Sequence, residues 1–195
     1  MAYTSYSAVN TYLGTSGAGD DALITSLISR AQAVIDTYTG RTFEHSSVGV
    51  KRYYTVGVDT EGRDLYLDED LCAITSIVTD ADGVTPSTLV ATEYVTYPRN
   101  YKPYHKICLL AHSTNSWTYT SNPENGIELT GKWAYSSSAP DDIVHACIRL
   151  TGFFYRQKDS LVFDTIAQPG MGIISMPKGI PEDVKIDLMP YRKVI

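Results

Sequence analysis

The stretch DDALITSLISRAQAVIDTYTGRTFE, residues 20–44, repeats apolar side chains with the period of an α-helix. At 100° per residue, eight apolar side chains share an arc of roughly 140°, and polar side chains occupy the rest. The pattern predicts a half-buried helix that begins at Asp20 or Asp21 and ends at Gly40, because glycine takes the left-handed capping conformation without steric cost. The eight apolar residues are Leu23, Ile24, Leu27, Ile28, Ala31, Val34, Ile35 and Tyr38.

Arg41 follows the glycine that ends this helix. A cation there lies beside the last helical carbonyls, where the helix dipole favours positive charge. Arg41 is therefore either a helix-end residue or one half of an ion pair between subunits, and the sequence leaves both interpretations open.

The composition is that of a globular protein, with 195 residues, 43% hydrophobic, 19% charged and a net charge of −6. The acidic balance argues against wrapping nucleic acid, although an acidic wall would let a DNA duplex slide through a pore. The three cysteines lie far apart among apolar neighbours and predict reduced core thiols. Because no long apolar run or basic leader is found, we expect synthesis in the cytoplasm and no membrane segment.

From residue 48 to residue 138 the helical period gives way to short β-like runs separated by turn residues. The runs predict a small antiparallel sheet or barrel. They are VKRYYTV, DLYL, AITSIVTD, EYVTY, KICLLA, SWTYT and GIELTGKWAY. A short helix is predicted over residues 5–13, before Gly14.

The helical period returns over residues 140–158, with proline as the predicted first residue. Apolar side chains cover about 220° of this helix. A helix of this kind lies either at the centre of a bundle or between its own sheet and another subunit. The remaining polar strip grips an acidic neighbour or is solvated surface. It consists of His145, Arg149, Gly152 and Arg156.

Residues 159–179 are rich in apolar side chains, but Pro169, Gly170 and Gly172 prevent a helix. The segment is either a hairpin folded back on its own β-region or an arm that reaches a partner, and we favour the arm. The arm residues expected to touch a partner are Phe163, Met171, Ile174 and Met176. A last short helix is predicted from Pro181 to residue 189.

Residues that could carry chemistry are not arranged for it. His105 and His112 have no carboxylate or cysteine at metal-ligand spacing, and TSGAGDD lacks the GK[ST] of a phosphate-binding loop. We therefore predict no catalytic, cofactor or metal site and no enzyme activity. Fifteen tyrosines against four phenylalanines are typical of surfaces that become covered, as in an assembly protein, and equally of a β-rich soluble domain.

Three segments resemble the head-to-tail connector (adaptor, or head-completion) proteins of long-tailed bacteriophages. They are residues 20–44, WAYSSSAPDDIVHACIRLTGFFYR at 133–156, and IPEDVKIDLMPYRKV at 180–194. The resemblance implies a structural virion protein in the neck between capsid and tail. It would form a dodecameric ring that docks under the portal protein, extends the DNA channel and offers an attachment surface to a tail or stopper protein. DNA would pass without sequence-specific binding.

The resemblance also implies that Gly40, Arg41 and Phe43 form the hinge into the β-region, and that Tyr191 and Arg192 belong to a basic tail. With Arg149, Arg156 and the four arm residues, these residues other than Gly40 are the predicted subunit or partner interface.

The predicted fold class is α+β, a connector-type helical bundle with an inserted antiparallel β-module. Residues 1–47 and 139–195 would form the helical connector domain, and residues 48–138 the insert. Two other functions remain open. One is another neck or tail-completion structural protein, and the other is a small hydrolase, whose sign would be a cleft joining His105 or His112 to acidic residues.

Overall fold

The computed structural model describes residues 2–15, 18–158, 165–168, 172–175 and 179–193. The chain divides into two compact units. We call Thr42–Ser138 the sheet unit. We call the other the terminal unit, because it combines Ala2–Arg41 with Ala139–Ile195 from the two ends of the chain.

The described residues of the terminal unit form four α-helices, and the predicted helices are all present. They are α1 (Tyr6–Leu13), α2 (Asp21–Thr39), α3 (Asp141–Gln157) and α4 (Glu182–Leu188). Both α1 and α2 end at a glycine with positive φ, 69° at Gly14 and 68° at Gly40, as the sequence predicts. Pro140 and Pro181, predicted as the first residues of α3 and α4, are instead the N-cap residues, so each helix begins one residue later than predicted.

Helix α3 lies at the centre of the terminal unit, because it contacts each of the other three helices. This position accounts for its wide apolar arc, which the sequence assigns either to a bundle centre or to a subunit contact. The buried side chains of the unit include Val9, Ile24, Ile28, Ala31, Ile35, Ile143, Ala146, Cys147, Leu150, Phe154, Val184 and Leu188.

The sheet unit is built on an antiparallel sheet of seven strands. The strands are β1 (Val50–Tyr54), β2 (Thr60–Glu61), β3 (Asp64–Thr79), β4 (Ser87–Thr88), β5 (Tyr94–Tyr97), β6 (Tyr104–Leu109) and β7 (Ile127–Trp133). The order is β1-β7-β3-β6-β5, and β2 and β4 pair with β3. Along β7, Ile127, Leu129, Gly131 and Trp133 are buried and alternate with half-buried residues, so one face of the sheet holds the core.

The predicted fold class, a helical bundle with an inserted β-module, is wrong. The largest element is the seven-stranded sheet, whereas α1 has 8 residues and α4 only 7. The runs DLYL and AITSIVTD are one continuous strand of 16 residues, because β3 pairs with β6 at one end and with β7 at the other. SWTYT is not a strand; Trp117 instead donates its indole N–H to the Arg63 carbonyl at 2.9 Å.

The segment predicted as a hairpin or an arm contains a two-stranded antiparallel sheet of β8 (Thr165–Gln168) and β9 (Gly172–Ser175). Thr165 lies opposite Ser175 in the pairing. The backbone of Ile174 belongs to β9, whereas Phe163, Met171 and Met176 lie outside the described residues. Whether this segment acts as an arm stays a prediction.

Candidate functional site

The polar strip of α3 contacts the two short helices of its own unit, α1 and α4. The Arg149 guanidinium donates through Nη1 to Asp187 Oδ2 at 2.7 Å and through Nη2 to Asp183, and both acids belong to α4. Gly152 lies under the ring of Tyr12 from α1, where an added Cβ would be 3.2 Å from Cε1. The acidic neighbour of Arg149 is therefore α4 of the same chain.

Arg156 is the exposed arginine of this strip. Together with Arg149, Tyr12 and Phe153 it lines a pocket of about 190 Å³. Pro181, Asp183 and Val184 line the same pocket. Arg149 is bound to two carboxylates of α4, whereas Arg156 is exposed, and the contact of either residue with another subunit stays a prediction.

The predicted interface residues Arg41, Tyr191 and Arg192 come together at the end of α2. Arg41 Nε donates to the Tyr191 carbonyl at 2.8 Å, and the Arg192 guanidinium lies 5.8 Å from the centre of the Tyr38 ring. The Tyr191 hydroxyl donates to Asp142 Oδ2 at 3.0 Å. Arg41 thus holds the C-terminal segment beside the end of α2, and its predicted contact with another subunit stays a prediction.

The predicted apolar face of α2 is only half covered by its own unit. The residues at roughly 80–140° of the helical projection are buried, whereas those at roughly 0–60° are half-buried or exposed. We call this second group the α2 stripe; it consists of Leu23, Leu27, Val34 and Tyr38. The sequence predicts all eight residues as one face, because helical periodicity does not show how much of that face a neighbouring element will cover.

An open groove of mostly apolar lining follows the C-terminal half of the α2 stripe. Val34, Tyr38 and Ala33 line one part of it, and Ile180 lies across from them. Arg30 borders the groove, and its guanidinium packs 4.2 Å from the centre of the Phe154 ring. No sequence pattern predicted this groove, because Ile180 is distant from α2 along the chain.

The predicted capping role of Asp20 is replaced by a tertiary contact. Asp20 precedes α2, but its carboxylate makes no capping bond to that helix. It accepts hydrogen bonds from the Tyr155 hydroxyl and from Lys158 Nζ, the latter at 2.9 Å, near the end of α3. These hydrogen bonds hold the pKa of the Asp20 carboxyl below its usual value.

Phe43, the last of the predicted hinge residues, is a core residue of the sheet unit. Its side chain is fully buried, and its ring centre lies 5.6 Å from that of Tyr135. The Phe43 carbonyl accepts a hydrogen bond from the Ser136 hydroxyl at 3.2 Å. The side chain therefore stabilises the start of the sheet unit from within.

Side chains that could support hydrolysis are committed to structural hydrogen bonds. His112 Nε2 lies 3.0 Å from the Thr92 carbonyl oxygen, and the Ser113 hydroxyl donates to Glu93 Oε1 at 3.4 Å. The serine thus meets a carboxylate without an imidazole between them. Among the described residues, no group of three or more His, Cys, Asp or Glu side chains could hold a metal ion. All three cysteines are free thiols, as predicted.

A model of the head completion protein family matches residues 2–194, and the chain belongs to this family. This match confirms the family predicted from the three sequence segments. No match to the chain is found among curated proteins. Across the described part of the chain, no helix is both long and apolar enough to span a membrane.

Two solved structures contain chains with a similar fold. One is the neck of an empty gene transfer agent (GTA) particle computed with C6 symmetry, with a TM-score of 0.60 and 20% identity over 99% of this chain and 91% of that chain. The other is the virion of a native GTA particle, with a TM-score of 0.58 and 20% identity over the same shares of the two chains. At this identity the similarity shows the fold alone.

Proposed function

We propose that this chain is a head-to-tail connector, a structural protein of the neck between a filled head and its tail. The observation that carries the proposal is the match of the head completion family model to residues 2–194. The two similar chains belong to a GTA neck and a GTA virion, which supports a place in the neck for this chain as well. Synthesis in the host cytoplasm would precede its incorporation.

In the finer form of the proposal, the chain assembles as a homo-oligomeric, dodecameric ring under the portal protein. The ring extends the DNA channel without sequence-specific contacts and presents a surface to the tail or stopper protein. Its role is mechanical, with no catalytic step and no cofactor. The division into one connector domain of residues 1–47 with 139–195 and an insert of residues 48–138 stays a prediction.

A ring of identical subunits needs two unlike surfaces that meet around the circle. The α2 stripe supports one of them, because its side chains are apolar and are half-buried or exposed in the single chain. The outward part of α3 around Arg156 is the predicted second surface. Arg41, Tyr191 and Arg192 border the end of α2 and stay predicted contacts for the portal or the next subunit.

The experiment is a measurement of mass by light scattering, for the purified protein alone and after mixing with portal. The double substitution Leu23→Glu with Val34→Glu places two charges on the α2 stripe. We expect it to prevent ring formation on portal while circular dichroism stays unchanged, because charges are strongly disfavoured in an apolar contact. The matched control is Ser26→Glu with Ser29→Glu, on the exposed polar side of the same helix.

The outcomes separate the parts of the proposal. Rings that form despite the stripe charges would remove the α2 stripe from the subunit contact. A wild-type protein that never binds portal would refute the connector function itself. Loss of assembly in the control as well would mean that added negative charge is responsible, and the stripe would lose its support.

A different neck or tail-completion protein remains the second candidate, because the largest element is a sheet with two open edge strands, β1 and β5. In that case β-strands would build the ring wall. Hydrogen exchange of the assembled particle distinguishes the two: new protection along α2 favours the connector, and new protection along β1 or β5 favours the alternative.

A further inference from the structure

The hairpin of β5 and β6 differs in charge from the rest of the sheet unit. The unit as a whole contains more Asp and Glu than Lys and Arg. Residues Tyr94–Leu109 reverse this balance, because they contain Arg99, Lys102 and Lys106 and no acidic residue. A local positive surface therefore lies on an otherwise acidic unit.

Of the four cations elsewhere in this unit, Lys51 and Arg52 are paired with carboxylates, and Arg63 donates to the carbonyls of Leu110 and Ala111. Lys51 lies 2.9 Å from Glu128, Arg52 Nη2 lies 2.6 Å from Glu69, and the hairpin's own Lys106 lies 2.8 Å from Asp64. Such pairs leave little charge to attract another molecule.

The two cations at the tip of the hairpin are different. Arg99 and Lys102 are exposed, and within the residues that the structure describes neither forms an ion pair. The Lys102 ammonium donates a weak hydrogen bond to Cys72 Sγ at 3.9 Å. Both charges are available to a ligand.

Tyr101 lies between these two cations and has 69% of its surface exposed. Its hydroxyl is therefore a further donor at the same tip. The base of the hairpin is held in place by Lys106, whose ammonium lies 4.7 Å from the ring centre of Tyr97 and 5.9 Å from that of Tyr66. A fixed base with an exposed cationic tip suits contact with an extended polyanion.

We propose that the hairpin tip, residues 98–103, binds the phosphate backbone of duplex DNA through Arg99 and Lys102, with the Tyr101 hydroxyl as an added donor. Phosphate contacts of this kind carry no sequence information. The biological source of the DNA rests on the proposed function, since head DNA would pass the neck. The acidic remainder of the unit repels DNA and keeps the contact local and weak, so that it guides the duplex without holding it.

The test uses the full-length protein and a fluorescently labelled duplex, with binding followed by anisotropy at low and rising salt. Two phosphate contacts predict that a fourfold rise in salt weakens binding about tenfold. The double substitution Arg99→Glu with Lys102→Glu should lower the affinity at low salt by at least about tenfold. Its matched control, Lys51→Glu with Lys132→Glu, makes the same change in net charge elsewhere in the unit. The control should lower the affinity for DNA about threefold or less.

Equal losses in the hairpin variant and the control would overturn the proposal, because binding would then follow net charge alone. Absence of salt-dependent binding by the wild-type protein would overturn it too. So would a hairpin variant that binds DNA normally but no longer binds portal, since the tip would then contact an acidic protein surface.

Binding of the hairpin variant to portal, followed by the mass of the complex, tests this inference separately from the proposed function. We expect the hairpin variant to load on portal like the wild-type protein. A wild-type protein that binds DNA through the hairpin but never binds portal would leave the inference standing and refute the connector function.

Discussion

Arg149 of α3 is bound to Asp187 of α4 across 38 residues of sequence, with Nη1 to Oδ2 at 2.7 Å. The second terminal nitrogen of Arg149 donates to Asp183 one helical turn away. One guanidinium thus joins the shortest helix to the central one. The strip that the sequence marks as basic is, at this residue, an internal contact of the terminal unit.

Arg149→Glu should destabilise the terminal unit, because it places three carboxylates together where one cation held two. The side chains are partly exposed, so the pairs are screened and we expect a loss of about 1–2 kcal/mol in the free energy of unfolding. Urea unfolding followed by circular dichroism measures it. Arg149→Met should lower the free energy of unfolding by less, since it removes the attraction without adding repulsion.

The charge-reversed pair Arg149→Glu with Asp187→Arg tests the cause. Recovery of part of the lost stability shows that the contact itself matters. If Arg149→Glu instead leaves the isolated chain as stable as before and only weakens assembly, the main role of Arg149 is at a subunit interface.

Phe43→Ala should lower the free energy of unfolding of the sheet unit by about 3–5 kcal/mol, because the ring is fully buried and its loss leaves a cavity beside Tyr135. The control Val48→Ala truncates a side chain that is 72% exposed and should change stability little. Urea unfolding measured by tryptophan fluorescence suits this unit, which contains Trp117 and Trp133. A loss below about 1 kcal/mol would contradict a core role for Phe43.

Asp80 should make the sheet unit sensitive to acid. Its carboxylate is buried and accepts the backbone N–H groups of Thr85 at 2.9 Å and Thr120 at 2.5 Å. Burial alone would raise the pKa of Asp80, but these hydrogen bonds outweigh it and keep the pKa below its usual value. The carboxylate therefore contributes stability above its unfolded-state pKa of about 4, and this contribution disappears as pH falls through the lower folded-state pKa.

Asp80→Asn should lower the melting temperature at pH 7, and the difference from the wild-type protein should shrink as the pH falls below about 4. Asparagine tolerates the positive φ of 53° at this position, so the substitution mainly removes charge. Asp82→Asn is the matched control, because Asp82 is exposed and receives one side-chain hydrogen bond, from Asn122. A difference between Asp80→Asn and wild type that is constant with pH would show that the charge is not the cause.

Cys147 should resist alkylation in the folded protein. Its side chain is fully buried in α3, and burial raises the pKa of the thiol to about 12. At pH 8 its thiolate fraction is then roughly a thousandfold below that of an ordinary cysteine. Mass spectrometry after iodoacetamide treatment should find the half-buried Cys108 labelled first and Cys147 only after denaturation. Early labelling of Cys147 would mean that α3 opens readily.

The helices could be predicted because their signals are local. The period of residues 20–39, the glycines at 14 and 40 and the acidic first turn of α3 fix these helices within a few residues. Most strand runs of the sheet unit were also predicted, but SWTYT is not a strand and β3 was divided in two. Asp68, Glu69 and Asp70 look like a turn, yet the strand continues through them with a shift in its pairing to β6.

By itself, the sequence determined the helix boundaries, the free cysteines and the family, because each depends on residue types close together or on motifs in a fixed order. Tertiary structure decided the sheet order, in which β7 lies between β1 and β3. It also decided the partners of Arg149 and Arg41 and divided the α2 face into a covered and an open edge. These features join residues up to 150 positions apart. Such pairings are selected by the packing of whole elements, and no local pattern encodes which distant surface will meet a given side chain.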